Sequence, residues 1–366
     1  PSTAGVSNID LASTSAGANK KFIYSSFDTP GTAHDVTVSG SYAFVGDDTA
    51  GLQIINVSNV AVPTRTGTFD TSSYAWGVCV SGAYAYVADS YAGMHIINVS
   101  NLSVPTLVGT IDTPGGPIDV VVSGTYAYVA DITPGLQVIN ISDAALPTRA
   151  GTCDSPGYLG AVAVSGNYVY ATDDWAGLQI INISDAAAPT LTGTYDTAGN
   201  AGGVCVSGSY AFVGDYYAGL QIINVSNAAV PTRTGTFNTA GNALGVFVSG
   251  VYAYVADYNS GLAVIDVSNL AVPTLRGTFD TNGSVYDLAV SGNYAYLADE
   301  AAGLQIINIS NPANPQLVVP TTGITQISVP SGSSSVNVWY YDETPGTYTI
   351  SAAKAGLTTG ADSITV

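Results

Sequence analysis

Apolar and polar residues alternate with a period of two along almost the whole chain, in short runs separated by Gly, Asn, Asp and Pro. Between residues 77 and 111, GVCVS reads as one strand, ended by Gly82, and YAYVA (84–88) reads as the next. Asp89 to Gly93 is a turn, MHIINV (94–99) is a third strand, and Pro105 opens a fourth that runs to Ile111. β-branched and aromatic residues dominate these runs, which suits a pleated, half-buried surface. No stretch carries the 3.6-residue period of an amphipathic helix.

The pattern recurs at a fixed interval. The motif G-[LM]-x-[IV]-I-[ND]-[VI]-S places its glycine at Gly51, Gly93, Gly135, Gly177, Gly219, Gly261 and Gly303, always 42 residues apart. Prolines from Pro63 to Pro315 keep the same spacing, as do Gly40 to Gly292 and Tyr42 to Tyr294. Four short strands per repeat, seven times over, predict an all-β fold: a seven-bladed β-propeller with a small C-terminal β module.

The tandem GLQIINVSN…PT pattern resembles the LVIVD-repeat family of β-propellers from Lys21 to about Pro315. The resemblance implies a propeller and, because the family is typical of secreted or cell-surface proteins of bacteria and archaea, a location outside the cell. One position departs from the family. Where an Asp usually follows the apolar triplet, this chain has Asn56, Asn98, Asn140, Asn182, Asn224 and Asn308, and only Asp266 keeps the acid. A turn at a strand end suits both residues and needs no charge.

The ring needs a closing strand. Lys21 to Asp28 aligns with Pro63 to Asp70, so residues 22–28 are expected to form the outer strand of the blade made by 287–309. Residues 315–319 are the alternative. The expected division is an extended tail (1–20), the propeller (21–315) and a C-terminal module (316–366). The Ser/Thr/Ala/Gly-rich tail fits a mature protein that has lost a signal peptide. In the C-terminal module ITQISV, SVNVWYY, GTYTISA and DSITV read as strands, and PGTYTIS with the terminal SITV is similar to the closing half of an immunoglobulin-like module. A full sandwich needs ~100 residues, so the expectation is either a small sheet resting on the propeller or an open half-sandwich.

Charge narrows the function. A net charge of -19, with 7 Lys+Arg, argues against nucleic acid and anionic membranes as partners, since both require a basic patch. No apolar run is long enough for a membrane-spanning helix. Cys79, Cys153 and Cys205 stand where other repeats carry Phe, Ile, Val, Ala, Thr or Tyr and read as small buried residues. No metal site or cofactor is expected. There is no G-x-S-x-G or H-E-x-x-H, and His34-Asp35 is an adjacent pair rather than a triad. Carboxylate pairs near a propeller axis leave glycoside chemistry as the enzymatic alternative.

Three sets of residues carry the remaining chemistry. Asp47, Asp89, Asp131, Asp173, Asp215, Asp257 and Asp299 precede each motif glycine by four residues. They read as caps on their own turns, with a cation-attracting ring as the alternative. Triplets such as Asn56-Val57-Ser58, with Asn101-Leu102-Ser103 and Asn282-Gly283-Ser284, match glycosylation acceptors and equally well strand-end turns. The loops expected on one face carry His34, Asp35, Trp76, Asp119, Trp175, Tyr217, Tyr286 and Asp287, together with Tyr74, Tyr158, Tyr216 and Tyr258. Aromatic rings among carboxylates suit sugar stacking or protein contact.

Function at this level divides in two. One reading is a secreted or cell-surface, non-enzymatic structural protein whose main partner is itself, built into a filament or layer by strand addition. Val6, Ile9 and Leu11 in residues 4–14 are the candidate assembly strand, and the final DSITV is a poorly guarded edge. The other is a propeller binding a surface polysaccharide or protein through its aromatic and acidic face.

Overall fold

The structure, a computed structural model, describes residues 7–10, 21–23, 26–281, 283–318, 326–329, 339–341, 347–352 and 360–365. Each of the first six repeats forms a four-stranded antiparallel sheet whose strands follow chain order. Blade one is Asp35–Ser39, Tyr42–Gly46, Leu52–Asn56 and Thr64–Phe69. The first strands of successive blades touch one another, and Asp287–Ser291 of blade seven returns to Asp35–Ser39. They are therefore the inner edges of a closed seven-bladed ring.

Packing follows from the residue pattern. The second and third strands are buried on both faces, and the outer strand is largely exposed, with Gly67 alone buried in blade one. The core lies between blades: Phe44, Leu52 and Ile54 of blade one pack on Ala75, Val78, Val87 and Ile97 of blade two. No blade can bury its apolar faces alone, so the ring stands or falls as a set of neighbour contacts. The motif glycine is needed because Gly51 has φ 69°, and a Cβ there would run into the Phe69 carbonyl oxygen.

The recurring Asp has a structural role, in a different place from the one expected. Its carboxylate does not cap its own turn. Asp47 accepts Thr29 Oγ1–H at 2.6 Å and the Gly31 N–H at 2.9 Å, both in the loop that enters the blade. Asp215 repeats this with Thr197 and Gly199, and Asp257 with Thr239 and Gly241. Backbone bonds, Ala50 N–H to the Asp47 carbonyl among them, shape the turn itself. Blade two differs: His95 replaces the usual Gln, and its Nε2 lies 2.9 Å from Asp89 Oδ2 with both side chains buried.

The Asn-x-Ser triplets are turns. Asn56 Oδ1 accepts the Ser58 N–H at 2.9 Å, and Asp266 makes the same bond to Ser268 at 2.9 Å. Only an acceptor oxygen is needed, which explains why Asn and Asp alternate at this position. Asn282 lies outside the described residues.

Closure departs from both expectations. In blades one to six the outer strand carries a bulge, as at Ile54/Ile55 opposite Thr64–Phe69. In blade seven the outer edge comes from two pieces. Ser26 and Phe27 pair with Gln305 and Leu304, and Gln316–Leu317 pairs with the same strand. Counted by the repeat, these pieces are the two ends of an outer strand interrupted at the bulge, where the ladder is already broken. Lys21–Ile23, expected within the closing strand, pairs instead with Trp339–Tyr341.

Among the described residues, the second compact unit contains Ser7–Asp10, Lys21–Ile23, Gln326–Val329, Trp339–Tyr341, Thr347–Ala352 and Gly360–Thr365. Ser7–Asp10 pairs antiparallel with Gln326–Val329, placing Ile9 opposite Ile327. Thr347–Ala352 and Gly360–Thr365 form a hairpin. The C-terminal strands 326–329 and 339–341 thus take N-terminal partners, contrary to a sheet built from the C-terminal module alone. Val6 and Leu11 lie outside the described residues.

Candidate binding face

The loops leading into each first strand meet the turns between second and third strands on one face. Isolated bridges join Asp48 to Ala75, Asp174 to Ala201, Tyr216 to Ala243, Tyr258 to Val285, and Glu300 to Ala33. These five turn residues have positive φ, Tyr216 at 49° and Tyr258 at 46°. An aromatic residue in this region is strained by roughly 1 kcal/mol or more, and persists only where surrounding bonds fix it.

On this face the structure gathers part of the sequence-derived set. His34 stacks on Trp76 with ring centroids 4.2 Å apart, and Tyr286 meets His34 edge-on at 5.2 Å. Tyr258 extends the group, 5.6 Å from Tyr286. The group spans blades six, seven, one and two. At the position of His34 and Trp76, blades four and five carry Gly160 and Gly202, so the aromatic side is lopsided in a symmetric scaffold. Trp175 and Tyr217 are 57% and 63% exposed, and neither stacks on another ring among the described residues.

One residue further along each first strand, the chain reads Asp35, Gly77, Asp119, Ala161, Gly203, Gly245 and Asp287. Asp35 Oδ2 accepts the Val78 N–H at 2.6 Å, and Asp119 Oδ2 accepts the Val162 N–H at 2.8 Å. The Asp287 and Asp35 side chains act directly on one another's protonation. Each carboxyl keeps some accessible surface, yet protein surrounds it closely enough that desolvation raises its pKa, that of Asp119 to about 7. The Asp35 charge raises Asp119 further, and raises Asp287 well above the ordinary carboxylate range. Burial and mutual repulsion thus make all three acids hold protons more firmly than an ordinary carboxylate. Burial likewise pushes the Cys79 thiol up to about 11, and all three cysteines are free.

The convergence of Asp35, Asp119 and Asp287 follows from their shared position in the repeat. Sequence reading named the acids but missed the glycines beside them. Gly77 is the clearest: a Cβ there would sit 2.6 Å from Asp119 Cα. The residues at this position, compared across repeats, carried that signal. Among the described residues no group of three or more His, Cys, Asp or Glu has the geometry of a metal site.

A family model described as LVIVD repeat matches residues 30–71, 72–113, 114–155, 156–197, 198–239, 240–281 and 282–321. No curated protein matches the chain. Among solved structures, the Pan2 WD40 domain of Neurospora crassa superposes with a TM-score of 0.63 at 12% identity, covering 85% of this chain and 98% of that one. The Cps50 (Swd1) β-propeller domain of Myceliophteria thermophila gives 0.62 at 11%, covering 77% and 98%. The computationally designed Ika8 protein gives 0.60 at 8%, covering 81% and 99%. At these identities the likeness is one of fold.

Proposed function

Starting from the fact that the chain belongs to the LVIVD-repeat family, we propose that it is a non-catalytic structural protein displayed outside the cell, whose principal partner is another copy of itself. What supports the reading is that Ser7–Asp10 pairs antiparallel with Gln326–Val329 within one chain, a pairing that two copies could exchange. The two segments lie near opposite ends of the sequence, and the first belongs to a Ser/Ala/Gly-rich stretch. A second copy's segment can make the same main-chain hydrogen bonds to the same strand. Such a contact joins two different surfaces, so repetition without closure gives an open filament. The test is light scattering of the full chain beside a chain lacking residues 1–18, which keeps Ser26 and Phe27. Large particles from the full chain and monomers from the truncated chain support the reading; a full chain that stays monomeric at high concentration refutes it.

A second reading is favoured by the lopsided aromatic group at His34, Trp76, Tyr258 and Tyr286. Rings beside Asp48 and Glu300, whose charges act on His34, suit a cationic side chain of a partner protein. Trp76→Ala is expected to weaken capture of a Lys- or Arg-rich peptide, and equal capture by both proteins refutes this reading.

A further inference from the structure

We propose that the groove between blades five and six binds a neutral sugar residue. The proposal rests on the loop face being a binding surface, and it is independent of assembly. The groove has a volume of ≈ 440 Å³, within the range of small-ligand sites. Its lining includes Tyr217, Asn238, Asn242, Tyr258, Asn259 and Ser260, with no charged side chain.

The repeat shows that this lining is not required by the fold. Asn238 stands where all six other copies of the strand end carry Asp. Ser260 stands where the other repeats carry Ala or, once, Pro. Asn259 takes the place that Trp175 and Tyr217 hold in the two preceding repeats. Asn238 and Ser260 thus depart from an otherwise near-uniform position, Asn259 stands at a variable one (Thr49, Tyr91, Thr133 and Ala301 elsewhere), and all three put a neutral hydrogen-bonding group in one groove.

The groove is also organised in advance. Asp257 below it accepts Thr239 Oγ1–H at 2.6 Å and the Gly241 N–H at 2.9 Å, which fixes the loop carrying Asn238 and Asn242. Ser284 donates to Asn259 Oδ1 at 2.8 Å, leaving the Asn259 amide N–H groups to donate elsewhere. Among the described residues nothing bonds to the side-chain amides of Asn238 and Asn242. Tyr258 is held edge-on against Tyr286, and Tyr217 donates its hydroxyl to the Ala198 carbonyl at 3.4 Å. Carboxamides both donate and accept, which matches sugar hydroxyls. Tyrosine rings supply flat apolar surface with a polar tip for the C–H face of a pyranose.

The experiment is saturation-transfer NMR on the full chain with the methyl glycosides of glucose, galactose, mannose and N-acetylglucosamine. At least one of them is expected to receive saturation. Asn238→Asp with Ser260→Ala gives the groove the residues that other blades fold with, and is expected to weaken that sugar's binding about tenfold, the effect of losing one or two hydrogen bonds. Tyr217→Ala, at an exposed ring, is expected to do the same, with melting curves confirming that both variants are folded. Silence from all four sugars overturns the proposal, even where Trp76-dependent peptide capture persists. Binding undiminished in both variants overturns the groove as its location, and transfer to a neutral Gly/Ser peptide in place of sugars overturns the ligand class.

Discussion

The Asp35 carboxylate crosses Gly77 of the neighbouring blade to accept the Val78 N–H, 43 residues away, at 2.6 Å. Asp119 does the same across Ala161 to Val162, again 43 residues away, at 2.8 Å. These bonds tie one inner strand to the next, where the outer ladder of hydrogen bonds does not reach. Gly77 is expected to tolerate no side chain, because a Cβ would meet the Ile118 carbonyl oxygen and Asp119 Cα, each at 2.6 Å. Gly77→Ala is expected to cost roughly 1–3 kcal/mol by overpacking against backbone. Chemical denaturation checks this, and an unchanged midpoint contradicts the close approach.

Acid is expected to stabilise the propeller. Desolvation raises the folded-state pKa of Asp119 to about 7 and those of Asp47 and Asp299 to about 6, from an ordinary 3.8. The folded chain therefore binds more protons than the unfolded chain between about 4 and 7, and stability falls as pH rises through that window. His34 acts in the opposite sense, since burial lowers its pKa, so the gain levels off on the acid side. The melting temperature is expected to be higher at about pH 5.5 than at about pH 8, and Asp119→Asn is expected to flatten the difference. A melting temperature that rises steadily with pH contradicts this account.

The split outer edge of blade seven makes closure separable residue by residue. Removing residues 1–25 leaves Ser26 and Phe27 on Leu304 and Gln305, whereas removing 1–27 strips them. Thermal unfolding is expected to drop markedly between these two truncations. Identical melting curves would assign closure to Gln316–Leu317 alone.

The Asn-x-Ser turn needs an acceptor and no charge, as Asn56 and Asp266 show with equal 2.9 Å bonds. Asn56→Asp is expected to be within about 0.5 kcal/mol of the native chain, while Asn56→Ala costs about 1 kcal/mol by losing the bond. Equal losses in both variants contradict the turn role.

The fold was legible because one residue pattern is repeated with an unvarying interval, so each strand prediction was tested by its six copies. Ala75–Ser81, Tyr84–Asp89, Gly93–Asn98 and Thr106–Ile111 match the strands read from that segment to within two residues. The same symmetry concealed the partner of Asp47. Thr29 and Gly31 lie 18 and 16 residues earlier, where periodicity gives distance along the chain but no direction in space. Closure was half legible. Ser26 and Phe27 follow the repeat, but only the structure shows a second piece at Gln316–Leu317. The aromatic cluster was named in outline through His34, Trp76 and Tyr286, whose rings the structure brings into contact. The neutral groove was missed because Asn238 and Ser260 are small polar residues in turns, unremarked until set against the same positions in other blades.

Ile9 and Ile327 are register partners, and this pair gives the most direct test of self-assembly. A chain carrying Ile9→Cys and Ile327→Cys, with Cys79, Cys153 and Cys205 replaced by Ala, is oxidised under native conditions and run on a denaturing gel without reductant. If the N-terminal segment of one copy pairs with the C-terminal strand of the next, the gel shows a ladder of covalent multimers that either single-cysteine variant caps at dimers. A cross-linked product that migrates only as monomer, at every protein concentration, contradicts the account.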